Sequence, residues 1–312
     1  MADSPLPIGS RDDVRIEASR CLRMRFCASS CRRCADICPH GAITLDSGFG
    51  VDSDRCRGCL LCTTVCRAGA LEPNVDFSAC LAQLSRVPEP VFGCPRTKGR
   101  SHALLPCLGG LSEEHLLTLC HSLTGSLTIN LNECADCPNG TTIPRLRHRF
   151  TLLAEAGLLE GGCGMTLAEF DAEIRFSDEA VNRRGFFKSL RSALFQSAAV
   201  IISGGPEQSE RRSDYAGKRE PVRRELLNRT AGGLPPEMGK LLRNRYDHRI
   251  TFSGDCAACH GCVAICPTGA LQTDLPDSPP LFDRLVCTGC GLCEEFCLDG
   301  AVRVSAAGGN GG

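Results

Sequence analysis

The residues best suited to chemistry in this chain are cysteines, and they recur at fixed intervals. Cys256, Cys259, Cys262 and Cys266 follow the spacing C-x2-C-x2-C-x3-C, with Pro267 next. Cys287, Cys290, Cys293 and Cys297 repeat the spacing without the proline. Three thiolates two residues apart line one tight loop and can wrap an iron–sulfur cube, while the fourth starts a helix that points away and reaches a second cube. The spacing therefore predicts two [4Fe–4S] clusters, one on Cys256, Cys259, Cys262 and Cys297, the other on Cys287, Cys290, Cys293 and Cys266. The competing readings are zinc sites, which draw on cysteine pairs rather than a triplet with a distant fourth, and a disulfide framework.

The same pattern opens the chain. Cys31, Cys34 and Cys38-Pro39 match Cys259, Cys262 and Cys266-Pro267, and Cys56, Cys59, Cys62 and Cys66 match the last four cysteines of the later copy. One position departs, because Cys27 precedes Cys31 by four residues instead of three. A one-residue bulge in the loop would still deliver its sulfur. Cys27, Cys31, Cys34 and Cys66 are expected on one cluster and Cys56, Cys59, Cys62 and Cys38 on another, with Cys21 a rival for the place of Cys27. Short apolar pieces lie between the cysteine groups, Ala42 to Leu45 with Gly50 to Asp52, and Ala270 to Gln272 with Leu281 to Asp283. They read as small antiparallel hairpins, with Phe49 and Phe282 as apolar lids.

The segments Pro39-His40-Gly41-Ala42-Ile43 and Pro267-Thr268-Gly269-Ala270-Leu271, set after their cysteines, resemble those of bacterial two-cluster ferredoxins. That resemblance implies two small units of βαββαβ type in a polyferredoxin-like chain that transfers single electrons. The expected fold class is α+β, with units over 1–85 and 250–304, a small α/β cysteine-rich domain over 86–162, a helical basic connection over 163–249, and a disordered tail over 305–312.

The middle of the chain is built differently. Val91-Phe92 reads as a strand ending at Cys94, and Ser112 as the N-cap of a helix with Glu113 and Glu114 in its first turn. Leu116, Leu117, Leu119, Cys120 and Leu123 give that helix an apolar face. Leu127 to Leu131 alternates as a second strand ahead of Cys134 and Cys137. Strands joined by a helix present ligands at their carboxyl ends, so Cys94, Cys107, Cys134 and Cys137 are expected to converge on one metal. This segment resembles the delta subunit of hydrogenases linked to heterodisulfide reductase and, more loosely, thioredoxin-like [2Fe–2S] ferredoxins. The late pair is C-x2-C where the latter have C-x3-C. A fifth iron–sulfur centre, [2Fe–2S] or [4Fe–4S], is the favoured reading, beside a zinc site or four ordinary buried cysteines.

Of the remaining cysteines, Cys120 is expected in the core, Cys80 on a helix over Ser78 to Leu84, and Cys163 as an unpaired thiol in an exposed loop. Ile143 to Leu159 and Met165 to Phe176 read as helices, as do Ser189 to Ile202, Pro221 to Thr230 and Glu237 to Tyr246. Ser203 to Tyr215 reads as a loop. Asn182 to Lys188 resembles a twin-arginine motif, but its place deep in the chain makes it a docking surface or a helix start. Residues 183–249 hold 15 Lys or Arg against 7 Asp or Glu. A solvated basic face is the simplest account, and contact with acidic surfaces of this chain or of a partner is the sharper one.

Composition narrows the rest. Cysteine makes up 24 of 312 residues, Trp is absent and the net charge is −1. Disulfide scaffolds of that density are short and secreted, yet residues 1–20 contain no apolar signal core and no stretch approaches the roughly 18 apolar residues of a membrane span. A cytoplasmic, reducing setting with thiolate ligands is expected. Aromatic residues for stacking on nucleic acid are scarce in the basic segment. No G-x-G-x-x-G opens a strand–helix unit for a dinucleotide. Cys256-x-x-Cys259-His260 matches the haem-attachment string, but it lies inside a complete eight-cysteine pattern. Every triplet has its fourth thiolate, so no iron is left open for substrate and no catalytic site is expected. The reading is an electron-transfer subunit serving a redox-enzyme partner, with an accessory protein for iron–sulfur or molybdenum enzyme maturation as the runner-up.

Overall fold

The computed structural model describes residues 12–46, 48–177 and 218–308. The expectations for Asn182 to Lys188, Ser189 to Ile202 and Ser203 to Tyr215 lie outside the described residues.

The chain begins with β1 (Val14–Ile16), α1 (Leu22–Arg25), α2 (Arg33–Ile37), β2 (Ile43–Thr44), β3 (Gly50–Val51), α3 (Leu61–Val65) and β4 (Leu71–Pro73). β1 pairs antiparallel with β4, and β2 with β3. These strands and helices are very short, so little of their stability is intrinsic. Their apolar side chains, Ile43, Leu45, Phe49 and Leu71, are buried together against Cys21, Cys34, Cys38, Cys62 and Cys66. The hairpin and the buried Phe49 match the expectation.

The middle of the chain forms α4 (Phe77–Leu84), β5 (Val91–Gly93), β6 (Ala103–Leu104), α5 (Glu113–Ser122), β7 (Ser126–Asn130), α6 (Ile143–Glu155) and β8 (Gly164–Ala168). Asp76 caps α4 by accepting from the Ala79 amide at 3.0 Å. Ser112 caps α5 as its sequence foretold. The four strands run in the order β6-β5-β7-β8, and every pairing is parallel. A parallel sheet covered on its faces is apolar throughout, and Val91, Phe92, Leu127 and Ile129 are completely buried.

Three expectations fail here for one reason. Met165 to Phe176 is not a helix: Gly164–Ala168 pairs with Ser126–Asn130, and one short turn follows at Asp171–Glu173. The alternation Met165-Thr166-Leu167 was short enough to read either way, and the open edge of β7 decides it. The sheet therefore continues to Ala168, beyond the expected boundary at 162. Cys163 follows into that strand and is buried rather than exposed.

The last part contains α7 (Val222–Gly233), α8 (Pro236–Tyr246), β9 (His248–Phe252), α9 (Gly261–Ile265), β10 (Leu271–Gln272), β11 (Leu281–Phe282), α10 (Leu292–Phe296) and β12 (Val302–Ala306). From β9 to β12 the order strand, helix, strand, strand, helix, strand repeats the arrangement near the amino end, again with outer strands paired and an inner hairpin. β12 pairs with β9 as far as Ala306 opposite His248, so the expected tail at 305 starts inside a strand. Among the described residues, no helix is long and apolar enough to cross a membrane.

Among the described residues, part of the basic connection is packed against the rest of the chain rather than solvated. α7 packs on α5 through Leu226, Leu227 and Ala231, and Thr118 meets Thr230 at 3.0 Å. Arg223 pairs with Glu114 at 3.4 Å, and Arg245 with Glu113 at 3.1 Å. Arg224 is 4 % exposed. It pairs with buried Asp247 at 2.7 Å and donates to the carbonyls of Leu285, Arg284 and Tyr246 at 2.8, 2.9 and 3.0 Å. Removing one partner of a buried ion pair strands the other, at a cost of about 3–5 kcal/mol. Arg224→Met is accordingly expected to lower stability by that amount in urea titration, with much of the loss recovered in Arg224→Met/Asp247→Leu.

Candidate metal centres

Four local segments share one design. Cys38, Cys66, Cys266 and Cys297 each begin the pattern Cys-x-x-Gly-Ala. Gly41, Gly69, Gly269 and Gly300 take φ values of 55, 66, 77 and 60°, a left-handed conformation that suits a residue without Cβ. Three of the turns close through a glycine amide donating to the cysteine carbonyl, at 3.3 Å for Cys38, 3.1 Å for Cys66 and 3.2 Å for Cys297. The turn aims the next amide at sulfur: Ala42 donates to Cys38 Sγ at 3.4 Å and Ala301 to Cys297 Sγ at 3.3 Å. Gly289 donates likewise to Cys287 Sγ at 3.4 Å. Such donors favour the anionic sulfur and tune any metal bound to it.

Two cavities coincide with predicted ligand sets. One, about 500 Å³ of empty space, is ringed by Cys38, Cys56, Cys59 and Cys62 with walls that include Ile43 and Leu71. The other, about 330 Å³, is ringed by Cys266, Cys287, Cys290 and Cys293 with walls that include Ile250 and Leu271. Among the described residues, no three His, Cys, Asp or Glu side chains close to the spacing of a single-ion site. Soft sulfurs around an apolar cavity, with backbone N–H groups directed at them, fit the requirements of an iron–sulfur cluster.

The other sets are gathered by proximity. Cys34 lies beside Cys66, Cys21 and Cys31, and burial together with these thiols pushes it up to about 12. Burial raises Cys21 as well, with Cys66 and Cys31 close by. Cys27 is exposed. The structure thus brings Cys21 close to Cys31, Cys34 and Cys66. The reason is α1, which begins directly after Cys21. Its Leu22 is buried with Leu292, and Phe26 meets the ring of Phe296 edge-on at 5.3 Å. The turn after α1 is tied outward, with Ser29 Oγ donating to Glu295 at 2.7 Å. Spacing alone favoured Cys27, and the only sequence signal for Cys21 was the apolar Leu22 and Phe26 behind it. In the later copy, Cys262 lies beside Cys259 and Cys256, and Cys297 packs in the same apolar cluster.

In the middle, Cys94 follows β5 directly and Cys134 comes shortly after β7, at the carboxyl ends the α/β reading expected, while Cys107 comes shortly after β6, a strand that reading did not include. Cys107, pushed up to about 12 by burial, has Cys59, Cys94 and Cys134 as neighbours. Cys134, pushed up to about 11 by burial, lies beside Cys94 and Cys137. The Asn139 amide donates to Cys137 Sγ at 3.5 Å, while Asn139 Nδ2 reaches the Arg57 carbonyl at 3.0 Å.

Taken in space, the five groups follow one another in a row. Cys107 adjoins Cys59, and Cys62 of that set adjoins Cys34. Cys31 shares an apolar cluster with Cys290, around Leu22, Ala68 and Leu292. Cys293 adjoins Cys262. Cys27, Cys80, Cys120 and Cys163 are outside these groups: Cys163 Sγ donates to the Leu119 carbonyl at 3.7 Å and Cys120 Sγ to the Leu159 carbonyl at 3.5 Å. Cys80 is buried on α4 and donates to Leu104. His260, of the haem-attachment string, is engaged with the Ser278 carbonyl at 3.0 Å.

Residues 246–302 match the 4Fe-4S dicluster domain family. Over 51 residues the chain is 45% identical to the electron transport protein HydN of Escherichia coli strain K12, which covers 14% of this chain and 29% of HydN. Over 43 residues it is 42% identical to the pyruvate synthase subunit PorD of Methanocaldococcus jannaschii, covering 13% of this chain and 50% of PorD. The chain thus matches half or less of these relatives' length. No solved structure matches it. The carboxyl-proximal stretch is therefore iron–sulfur and ferredoxin-like.

Because Cys163 is satisfied by a carbonyl away from the row, Cys163→Ala is expected to keep the iron and sulfide content of the wild type. A loss of about 1 kcal/mol in stability, read by urea titration, is the expected cost.

Proposed function

We propose that the protein is a multi-cluster electron carrier that passes single electrons along its own length, as a component of a larger redox system. The observation that carries this reading is the row of five contiguous thiol sets. Four of them would hold [4Fe–4S] clusters: Cys21, Cys31, Cys34 and Cys66; Cys38, Cys56, Cys59 and Cys62; Cys266, Cys287, Cys290 and Cys293; and Cys256, Cys259, Cys262 and Cys297. Cys94, Cys107, Cys134 and Cys137 would hold a fifth iron–sulfur centre. A bound cluster supplies a one-electron couple with little reorganisation.

The chain's own residues then have separable roles. The thiolates hold the metal, and the amides of Ala42, Gly289, Ala301 and Asn139 donate to their sulfurs. Ile43, Leu71, Ile250 and Leu271 exclude water from the cavity walls. Four thiols in each set leave no position for substrate, which favours relay over catalysis. The names of HydN and PorD, an electron transport protein and an enzyme subunit, support the same reading.

Anaerobically purified protein is expected to contain about 16 irons from four cubes, plus two to four from the middle centre, with matching sulfide. Iron that is sub-stoichiometric and transferable to another protein would instead favour the maturation role. Cys134→Ser should remove only the middle centre's EPR signal. A count of about 16 irons that Cys134→Ser leaves unchanged would overturn the fifth centre. Cys21→Ser is expected to lower the count by up to four and Cys27→Ser to leave it intact, and the reverse result would restore the ligand order that spacing favours.

A further inference from the structure

Where the two halves of the molecule meet, one thiol set is surrounded by cations that come from outside its own unit. Arg25 of α1 donates through Nε to the Ile265 carbonyl at 2.9 Å and through Nη2 to the Ala264 carbonyl at 3.4 Å. Lys218, ahead of α7, donates to the Val263 carbonyl at 2.7 Å. Arg67, next to Cys66, donates to the Gly289 carbonyl. These carbonyls belong to α9 just before Cys266 and to the loop that carries Cys290. Arg25 and Lys218 therefore lie near Cys266, and Arg67 near Cys287 and Cys290.

All three cations are half-buried, so water screens them less than it would on an open surface. Arg25 and Arg67 are anchored by carbonyl oxygens, which hold the guanidinium in place without cancelling its charge. Arg224 also lies near Cys287, but its charge is matched by Asp247, which faces the same thiol. The neighbouring set differs. Of the cations beside Cys66, Arg20 has Glu72 close to it and Arg67 is committed to the Gly289 carbonyl.

Resting on the ligand sets proposed above, we infer that Arg25, Arg67 and Lys218 make the Cys266–Cys287–Cys290–Cys293 centre the highest-potential station of the row. Reduction adds one electron, supplied by a one-electron donor such as dithionite or another iron–sulfur protein, and forms or breaks no bond. The added negative charge is stabilised by nearby fixed cations, and net local charge is among the factors that set cluster potentials. The station lies at the junction rather than at an end. The first electron to enter therefore rests between the halves, and two further stations lie beyond Cys31 on one side and one beyond Cys293 on the other.

The test is an EPR-monitored redox titration of the full chain as wild type, Arg67→Gln, Arg25→Gln and the double variant, with iron and sulfide counted in each. Arg67→Lys keeps the charge, and Arg86→Gln removes an exposed charge remote from the set. The expected result is that the midpoint of the first-reduced centre moves to lower potential in each Gln variant and further in the double, while Arg67→Lys and Arg86→Gln stay near wild type. A first midpoint unmoved in the double variant at full iron content would overturn the assignment, as would equal movement of every midpoint. A wild-type iron count well below 16 would overturn the ligand sets themselves, which separates the two failures.

Discussion

Burial of cysteine sulfurs, with other thiols crowded beside them, is the constraint on which the rest of this structure depends. Cys34 and Cys107 are both held near 12, and Cys62 and Cys293 are pushed higher still by burial and by the thiols around them. Four anionic sulfurs cannot share an apolar cavity unless positive charge sits among them. On the proposed reading, metal binding and folding would be one equilibrium for the two cysteine-rich parts. Their strands of two to five residues and helices of four or five would not persist alone. The middle domain is the exception, because its parallel sheet and the leucine-rich α5 and α7 supply a conventional core.

What could be read in the sequence follows from what is local. A C-x2-C-x2-C triplet fixes its own loop, so the cysteines that line the cavities around Cys38 and Cys266 could be grouped before any coordinates, and the helix capped by Ser112 could be placed. The nearness of Cys21 to Cys31, Cys34 and Cys66 was not local. It depends on Leu22 and Phe26 meeting Leu292 and Phe296, far away in the sequence. β8 failed for a similar reason, since five residues of weak alternation become a strand only when β7 offers an edge. The Arg-rich connection looked solvated because a charge run carries no record of its partners. Arg223, Arg224 and Arg245 find them on α5, on Asp247 and along the 284–285 loop.

The middle site shows how two unrelated local designs come to adjoin. Cys107 enters from the edge of a parallel sheet and Cys59 from a left-handed loop. Leu60, at the next position, has φ 61° and is almost fully buried. Gly109 lets the two approach, because a Cβ there would stand 2.5 Å from the Cys59 carbonyl. An alanine at 109 would have to push apart the backbones that bring the two sets into contact.

The order of the sets in space is not their order along the chain, and this bears on how the protein is made. Ser29 and Glu295, which meet at the junction, are 266 residues apart. Contacts of that separation cost much loop-closure entropy and form late. During synthesis the amino-proximal part emerges first, and its Leu22, Phe26 and Ala68 must wait uncovered until Leu292 and Phe296 have left the ribosome. A nascent chain therefore passes through a period in which the face around Cys31 is open, when a chaperone or a metal donor has its readiest access to that half.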